Sequence, residues 1–346
     1  MILPYRTRRI LKRLLVAVLI LFSVALALTV CWFLWLQRYV VYTEDGAKLD
    51  FSLSMELPEG EVVQPPTQGA TIDFIYADEQ QQTGPAAAEL THFTGYYLDV
   101  SAMKAGFDDI FEQIALLPDG AVVAVDMKDP EGDFYYASSF GHAAKDVDLD
   151  KLAQVLTQLK SKGCYLIARI PAFQDKHFFL DDERTRVPYG LPRDGGNGSL
   201  WLDKEHQCYW FNPASDGTLT YLIQIISELR SMGFHEVILN DFRFPNTDMI
   251  SFPGNQLDAL NKAAATLVSS CTTDSFAVSF VRKKVDLTVP EGRTRLYLQE
   301  VTAAEAASLA AQTTFADNAI QLGFFADTND TRFDAYCVLR PLEMAR

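Results

Sequence analysis

From Gly95 to the C-terminus, short apolar runs alternate with amphipathic stretches. The runs are GYYLDV (95–100), AVVAVDM (121–127), CYLIARI (164–170), EVILNDF (236–242), SFAVSFV (275–281), TRLYLQE (294–300), AIQLGFFA (319–326) and AYCVLRP (335–341). Most are apolar at successive positions, as parallel strands covered on both faces should be. Helical periodicity fills the gaps. In DLDKLAQVLTQLKSKG, Leu149, Leu152, Val155, Leu156 and Leu159 share a face, with Asp148 placed to cap the start and Gly163 the end. TLTYLIQIISELRSMG repeats the pattern with Leu219, Leu222, Ile226 and Leu229, and stops at Gly233. FDDIFEQIALLP, NQLDALNKAAATLVSS and TAAEAASLAAQ read as further helices.

Eight strands with intervening helices predict an α/β fold, a (β/α)₈ TIM-like barrel over residues 93–346, about 254 residues against the ~250 typical of that architecture. The segments RKKVDLTVPEG and DTNDTRFD, after the fifth and seventh strands, are too short for full helices, so the barrel lacks some of them. The alternative is a doubly wound open sheet. That fold announces itself by a glycine-rich turn after its first strand, and LDVSAMKAG is no such turn.

The N-terminal pattern differs. Leu14–Leu36 carries no charge over 23 residues, enough to span a bilayer as a helix. RTRRILKR precedes it, and the positive-inside rule makes residues 1–13 a cytoplasmic tail. Trp32, Trp35 and Tyr39 suit the outer aromatic belt. A cleaved signal peptide would have a shorter apolar region and a small-residue cleavage site, so a single-pass anchor in the cell membrane is expected, with everything beyond it extracytoplasmic. Residues 37–92 read as a spacer with short strands: a hairpin around Asp45-Gly46, one strand at TIDFIY (71–76), and the proline-containing remainder.

Composition sharpens this only in part. The net charge is −15, and all 45 acidic residues follow position 43, with 24 of the 30 basic ones. A surface that acidic excludes a nucleic-acid partner, whose phosphates need Lys and Arg. The five cysteines form no CxxC pair and read as small core residues rather than a disulfide framework.

A barrel gathers its chemistry at the strands' carboxyl ends. Reading those ends gives Asp99, Asp126 with Lys128 and Asp129, Arg169, Asp241 with Arg243, Glu300 and Asp327. Glycoside cleavage needs two carboxyl groups, one protonated and one ionised, and neighbouring cations split such pairs. Each Asp taken alone also suits a helix cap or a surface ion pair. The loop 171–217 is rich in aromatic rings: Phe173, Phe178, Phe179, Tyr189, Trp201, Tyr209, Trp210 and Phe211. They suit either a stacking platform for sugar rings or a small core of their own. His92, His142, His177, His206 and His235 show no HExxH or i, i+4 spacing, and neither a P-loop nor a GxSxG elbow occurs. No metal site and no cofactor is expected.

The blocks VVAVDMKDPEG, YLIARIPAFQD, GSLWLDKEHQCYWFNP and GFHEVILNDFRFP follow one another in an order that resembles a largely uncharacterised bacterial glycoside hydrolase family with an α-amylase-like TIM-barrel domain. The resemblance covers about residues 93–250. Carried over position by position, it implies functional interest in Asp126, Lys128, Arg169, Trp201, Asp203, Trp210 and Arg243. Two positions depart from the family pattern. Its fourth-strand Asp aligns with Asn240, the acid here being shifted to Asp241, and an Asp of the loop aligns with Asn212. A one-residue shift reverses the face of a strand to which a side chain belongs. Either Asp241 regains the acid's place through a local twist, or Asp241 pairs with Arg243 and Asn240 faces the cleft.

The expectation is a membrane-anchored barrel acting on a polysaccharide or cell-wall glycan. Asp126, Asp241, Glu300 and Asp327 are its catalytic candidates. Asp99, Lys128, Arg169, Trp201, Asp203, Trp210, Asn240 and Arg243 are its candidate substrate contacts. A non-catalytic barrel that binds glycan or a partner at the cell surface, and a structural envelope component, are the alternatives. Oligomeric state is not legible.

Overall fold

The computed structural model describes residues 40–43, 46–49, 90–181, 187–195 and 199–345. The chain divides into two compact units, 1–79 and 80–346. In the first, β1 (Val40–Thr43) and β2 (Gly46–Leu49) pair antiparallel with Thr43 opposite Gly46, the pairing expected around Asp45-Gly46. The expected membrane span 14–36 and the strand 71–76 lie outside the described residues. Among those described, no helix is long and apolar enough to cross a membrane.

The second unit is a closed barrel of eight parallel strands. They are β3 (Thr94–Leu98), β4 (Val122–Asp126) and β5 (Tyr165–Pro171), then β9 (Glu236–Asn240), β10 (Ala277–Arg282), β11 (Leu296–Leu298), β12 (Leu322–Phe325) and β13 (Cys337–Pro341). The loop after β5 carries a small antiparallel sheet of β6 (Gln174–Asp175), β7 (Leu202–Asp203) and β8 (Cys208–Trp210). Every one of the eight apolar runs supplies one barrel strand, and most of these strands are buried on both faces. One face meets the helices, as with Val123, Val125, Leu166, Leu239 and Phe280. The other fills the barrel, as with Val122, Ala124, Ile167, Ile238, Val281 and Leu339. Gly323 has a packing reason: a Cβ there would lie 2.4 Å from the Tyr297 ring, which occupies the barrel interior.

The helices follow the sequence periodicity. Leu149–Ser161 buries Leu152, Val155, Leu156 and Leu159, and its Asp148 cap accepts a hydrogen bond from the Lys151 amide at 3.0 Å. Gly163 ends the turn at φ +66°. Asp216–Ser231 and Gln256–Cys271 pack beside one another on the outside. The expected helix in TAAEAASLAAQ shrinks to Ala306–Ala310, since this alanine-rich segment offers few large side chains to bury. No full helix forms after β10 or β12; only a 3₁₀ turn, Thr331–Phe333, follows β12.

The amino-terminal end of the barrel is plugged by a buried polar cluster. Glu236, wholly inaccessible, pairs with the guanidinium of Arg295 and accepts hydrogen bonds from Ser279 at 2.6 Å, Tyr297 at 3.1 Å and Tyr165 at 3.2 Å. A charge in that position survives because every lone pair finds a donor. This end is therefore closed, and the opposite end carries the clefts. Cys164, Cys208, Cys271 and Cys337 are all buried and free, as expected of core cysteines. Burial pushes the Cys208 thiol up to about 12 and that of Cys271 to about 11, so neither is a nucleophile at neutral pH.

Candidate functional site at the barrel mouth

Strand alternation decides which polar side chains reach the mouth. Asp126 ends β4 in register with Arg169 of β5, on the inward-facing parity of Ala124 and Ile167. The Arg169 guanidinium grips Asp126 at two points, Nε to Oδ1 at 2.5 Å and Nη2 to Oδ2 at 2.9 Å, and the Val100 amide donates to Oδ2 at 3.1 Å. Burial works against the Arg169 charge, but the Asp126 carboxylate more than offsets it and holds the Arg169 pKa above its ordinary value. Two rings flank the cation, Tyr97 and Phe325, each with its centroid 5.3 Å from the guanidinium carbon. The Tyr97 hydroxyl donates to Asp327 at 3.0 Å. Burial first, and then Asp327, raise the Tyr97 pKa, so the phenol keeps its proton. Asp126, Arg169, Tyr97, Phe325 and Asp327 thus form one contiguous group drawn from β3, β4, β5 and the end of β12.

Asp99, at the tip of β3, caps the helix Val100–Ala105 by accepting from the Ala102 amide at 2.8 Å. It also lines a cleft of about 760 Å³ with Tyr97 and Asp327. Tyr97 and Phe325 did not stand out in the sequence. The available signal was parity, since each sits two residues before a strand-tip acid, Asp99 and Asp327.

The tip of β9 resolves the Asn240/Asp241 ambiguity in geometry. Asn240 keeps the inward parity of Ile238. Its Oδ1 is buried and has no hydrogen-bond partner. Asp241 turns into the left-handed region at φ +48°, and its carboxylate accepts from Arg243 Nε at 3.1 Å. Asp241 is thus held by Arg243 rather than returned to the inward position. Glu300, also left-handed at φ +58°, is exposed and ion-paired with Lys283 at 2.5 Å. Asp241 and Arg243 line a second cleft of about 670 Å³, bounded as well by Val281, Arg282, Lys283 and Gln299. The four candidate catalytic carboxylates therefore divide. Asp126 and Asp327 join one hydrogen-bonded group, whereas Asp241 and Glu300 are taken up by cations beside the other cleft.

Three expected substrate contacts prove to be internal. Lys128, 4% exposed, forms a buried ion pair with Asp175 at 2.7 Å, and Asp175 also accepts from Tyr221 at 2.9 Å and the Phe178 amide at 2.7 Å. Asp203 holds its own loop: it accepts from Trp210 Nε1 at 3.1 Å, His206 Nδ1 lies 2.9 Å away, and the Glu205 and His206 amides also donate to it. Burial opposes its charge, but these donors outweigh burial and keep the Asp203 pKa below the usual carboxylate range. Trp210 is 1% exposed, with Arg243 at 5.0 Å over its ring. It cannot act as a stacking platform. The rings of Phe178, Phe179 and Phe211 are likewise buried against one another and beside Tyr221, a small core under the loop, and Phe173 is buried against Phe242. Trp201 remains partly accessible. Asp175 escaped the sequence reading because its partner lies far away in the chain and no spacing marks it.

Among the described residues, no group of three or more His, Cys, Asp or Glu is arranged to hold a metal ion.

Residues 96–275 match the model of the DUF4015 family, described as “Putative glycosyl hydrolase domain”. No curated protein matches the chain. Among solved structures, a hypothetical protein from Ruminiclostridium thermocellum is similar at 21% identity and TM-score 0.44, over 54% of this chain and 96% of its own. An α-galactosidase from Thermus thermophilus, in complex with p-nitrophenyl α-D-galactopyranoside, aligns at 13% identity and TM-score 0.39, over 56% of this chain and 39% of its own. A GH20 exo β-N-acetylglucosaminidase from Vibrio harveyi, in complex with N-acetylglucosamine, aligns at 12% identity and TM-score 0.46, over 75% of this chain and 46% of its own. The match thus spans less than half of either enzyme.

Proposed function

The chain belongs to the family described as “Putative glycosyl hydrolase domain”, and on that premise we propose that it cleaves glycosidic bonds of a polysaccharide or cell-wall glycan at the open end of its barrel. The observation that carries this reading is the Asp126–Arg169–Tyr97–Asp327 group. Asp126, fixed by two donors of Arg169 and by the Val100 amide, takes the part of the carboxylate that stabilises positive charge developing on the sugar. Asp327 stands exposed beside the adjoining cleft and is assigned the proton donor's part. Tyr97 and Phe325 offer ring edges and faces at the same place. Asp99 and Trp201 fall to substrate contact. The domain works outside the cytoplasm, tethered by residues 14–36 with the basic residues 1–13 inside; the uncharged 23-residue run supports this placement.

A second reading is favoured by one specific observation. The inward position at the tip of β9 holds an amide, Asn240, not an acid. A barrel that binds glycan without turnover would look like this. The experiment that separates the two is release of reducing sugar from a broad panel of glycans by the purified full chain, with Asp126→Asn and Asp327→Asn alongside. Hydrolysis lost in both variants supports the enzyme. Binding on a glycan array with no hydrolysis by the parent chain supports the binder. Neither binding nor hydrolysis would sink both.

A further inference from the structure

The cleft beside β9 and β10 is more basic than the chain as a whole. The chain as a whole carries 45 acidic residues against 30 basic ones. The cleft is lined by four cations, Arg243, Arg282, Lys283 and Lys284, and two carboxylates, Asp241 and Asp286. Arg282 and Asp286 neutralise each other through a two-pronged contact at 2.6–2.8 Å, and Arg282 also donates to the Phe242 carbonyl. The remaining three cations are held more loosely. Arg243 gives Nε to Asp241 at 3.1 Å and Nη1 to the Phe244 carbonyl at 3.3 Å, and among the described residues Nη2 makes no hydrogen bond. Lys283 and Lys284 have side chains 48% and 73% exposed. Their pairs with Glu300 and Asp286 are solvent-facing, a kind of pair that contributes little and exchanges readily for another anion. The helix Gln256–Cys271 turns Gln256 and Leu257 to the same space, with its first-turn amides of Leu257 and Asp258 already capped by Asn255.

A second observation points to the same place. Of the four non-glycine residues with positive φ among those described, two, Asp241 and Glu300, stand at the strand tips on either side of this cleft. For glutamate in particular the left-handed region is costly, and such conformations concentrate where a site requires them. Here they set the carboxylates of Asp241 and Glu300 against Arg243 and Lys283. The cleft also has an apolar side, formed by exposed Leu257 with Phe244 and Leu260 buried behind it, and the C–H face of a sugar ring can lie against Leu257.

We propose that this cleft is a subsite for an anionic group on the glycan, a carboxylate or phosphate, received by Arg243 Nη2 and the ammonium groups of Lys283 and Lys284. The inference rests on the carbohydrate reading above and names the class of sugar: acidic rather than neutral. An overall negative charge repels such a ligand at a distance, so recognition depends on these local cations and is strongly screened by salt.

The test uses the full chain and two matched pairs of probes: tetragalacturonate with its carboxyl-reduced neutral counterpart, and a mannose oligosaccharide with and without phosphate. At least one acidic member is expected to bind tenfold or more tightly than its neutral partner at 50 mM salt. That preference should shrink at 500 mM. Which pair shows it distinguishes carboxylate from phosphate. Lys283→Ala with Lys284→Ala should abolish the preference and leave the neutral partner's affinity and the melting temperature unchanged, since both ammonium groups are solvent-facing. Equal binding of acidic and neutral members, or a preference that survives the double substitution, overturns the anionic subsite while the carbohydrate reading stands. Failure of all four probes to bind overturns both.

Discussion

Asp126 and Arg169 stand opposite one another in the register of neighbouring strands and close a two-point ion pair at 2.5 and 2.9 Å. Both side chains are largely withdrawn from water, 11% and 18% exposed. Removing one member leaves the other desolvated and unpaired, which typically costs about 3–5 kcal/mol. Asp126→Leu and Arg169→Met are each expected to lower unfolding stability by about 3 kcal/mol. The double variant should lose less than either single one. Urea titrations of the three variants measure this; additive losses would mean the pair is not the coupled unit described. Arg169→Lys should not restore the parent, because an ammonium cannot reproduce the two-pronged grip.

Tyr97 and Asp327 give the corresponding prediction for activity. Asp327 is exposed, so Asp327→Asn should leave the melting temperature within a degree or two of the parent. If Asp327 is the proton donor, the same variant should lose about 10²–10⁴-fold in kcat. Tyr97→Phe keeps the ring beside Arg169 and removes only the hydroxyl that donates to Asp327. A loss of about tenfold in kcat, in the range set by one charge-assisted hydrogen bond, is expected. Unchanged turnover in Asp327→Asn would remove Asp327 from the mechanism.

Lys128 shows where sequence similarity and structure part. It lies in the family-like block VVAVDMKDPEG, yet its ammonium is buried against Asp175 with side-chain exposures of 2% and 1%. Lys128→Met should cost about 3–5 kcal/mol, since Asp175 would keep only the Tyr221 hydroxyl and the Phe178 amide. Below its lowered melting temperature, the variant should bind glycan as the parent does. A binding defect in a fully folded Lys128→Met protein would show that the ammonium reaches ligand after all.

How much was legible follows from these residues. The eight strands could be read because a parallel strand covered on both faces is apolar nearly throughout. The inward position of Asn240 follows from alternation with Ile238, and the pairing of Asp241 with Arg243 was one of two arrangements that alternation allowed. The fate of the aromatic loop was not readable. Trp210 and Trp201 have the same composition signal, but Trp210 is drawn inward by Asp203 and covered by Arg243, contacts that depend on tertiary structure. Glu300 read as a strand-tip acid converging on the mouth. Its left-handed backbone instead sends it to Lys283 and solvent. Strand period gives the side of the sheet; it does not give the direction taken after the strand ends.

Glu228 supplies a prediction in pH. It projects from the helix Asp216–Ser231 and accepts hydrogen bonds from Tyr136 at 2.8 Å, Ser138 at 2.8 Å and the Ser139 amide at 2.9 Å, and it also bonds the Ser139 hydroxyl. Burial opposes its charge, but the donors of Ser139, Tyr136 and Ser138 outweigh burial and hold its pKa below the ordinary glutamate value. The folded protein therefore binds this proton less readily than the unfolded chain. The contribution is complete above the unfolded value of about 4.3 and is lost as pH falls through the depressed folded value. Glu228→Gln removes the charge and with it this pH dependence. The melting temperature of Glu228→Gln should lie below that of the parent at pH 7, and the gap should narrow steadily between about pH 5 and pH 3. Calorimetric scans of both proteins at matched ionic strength measure the gap. A gap that is constant or widens on acidification would mean that the Tyr136–Ser139 loop holds a protonated Glu228 as well as an ionised one.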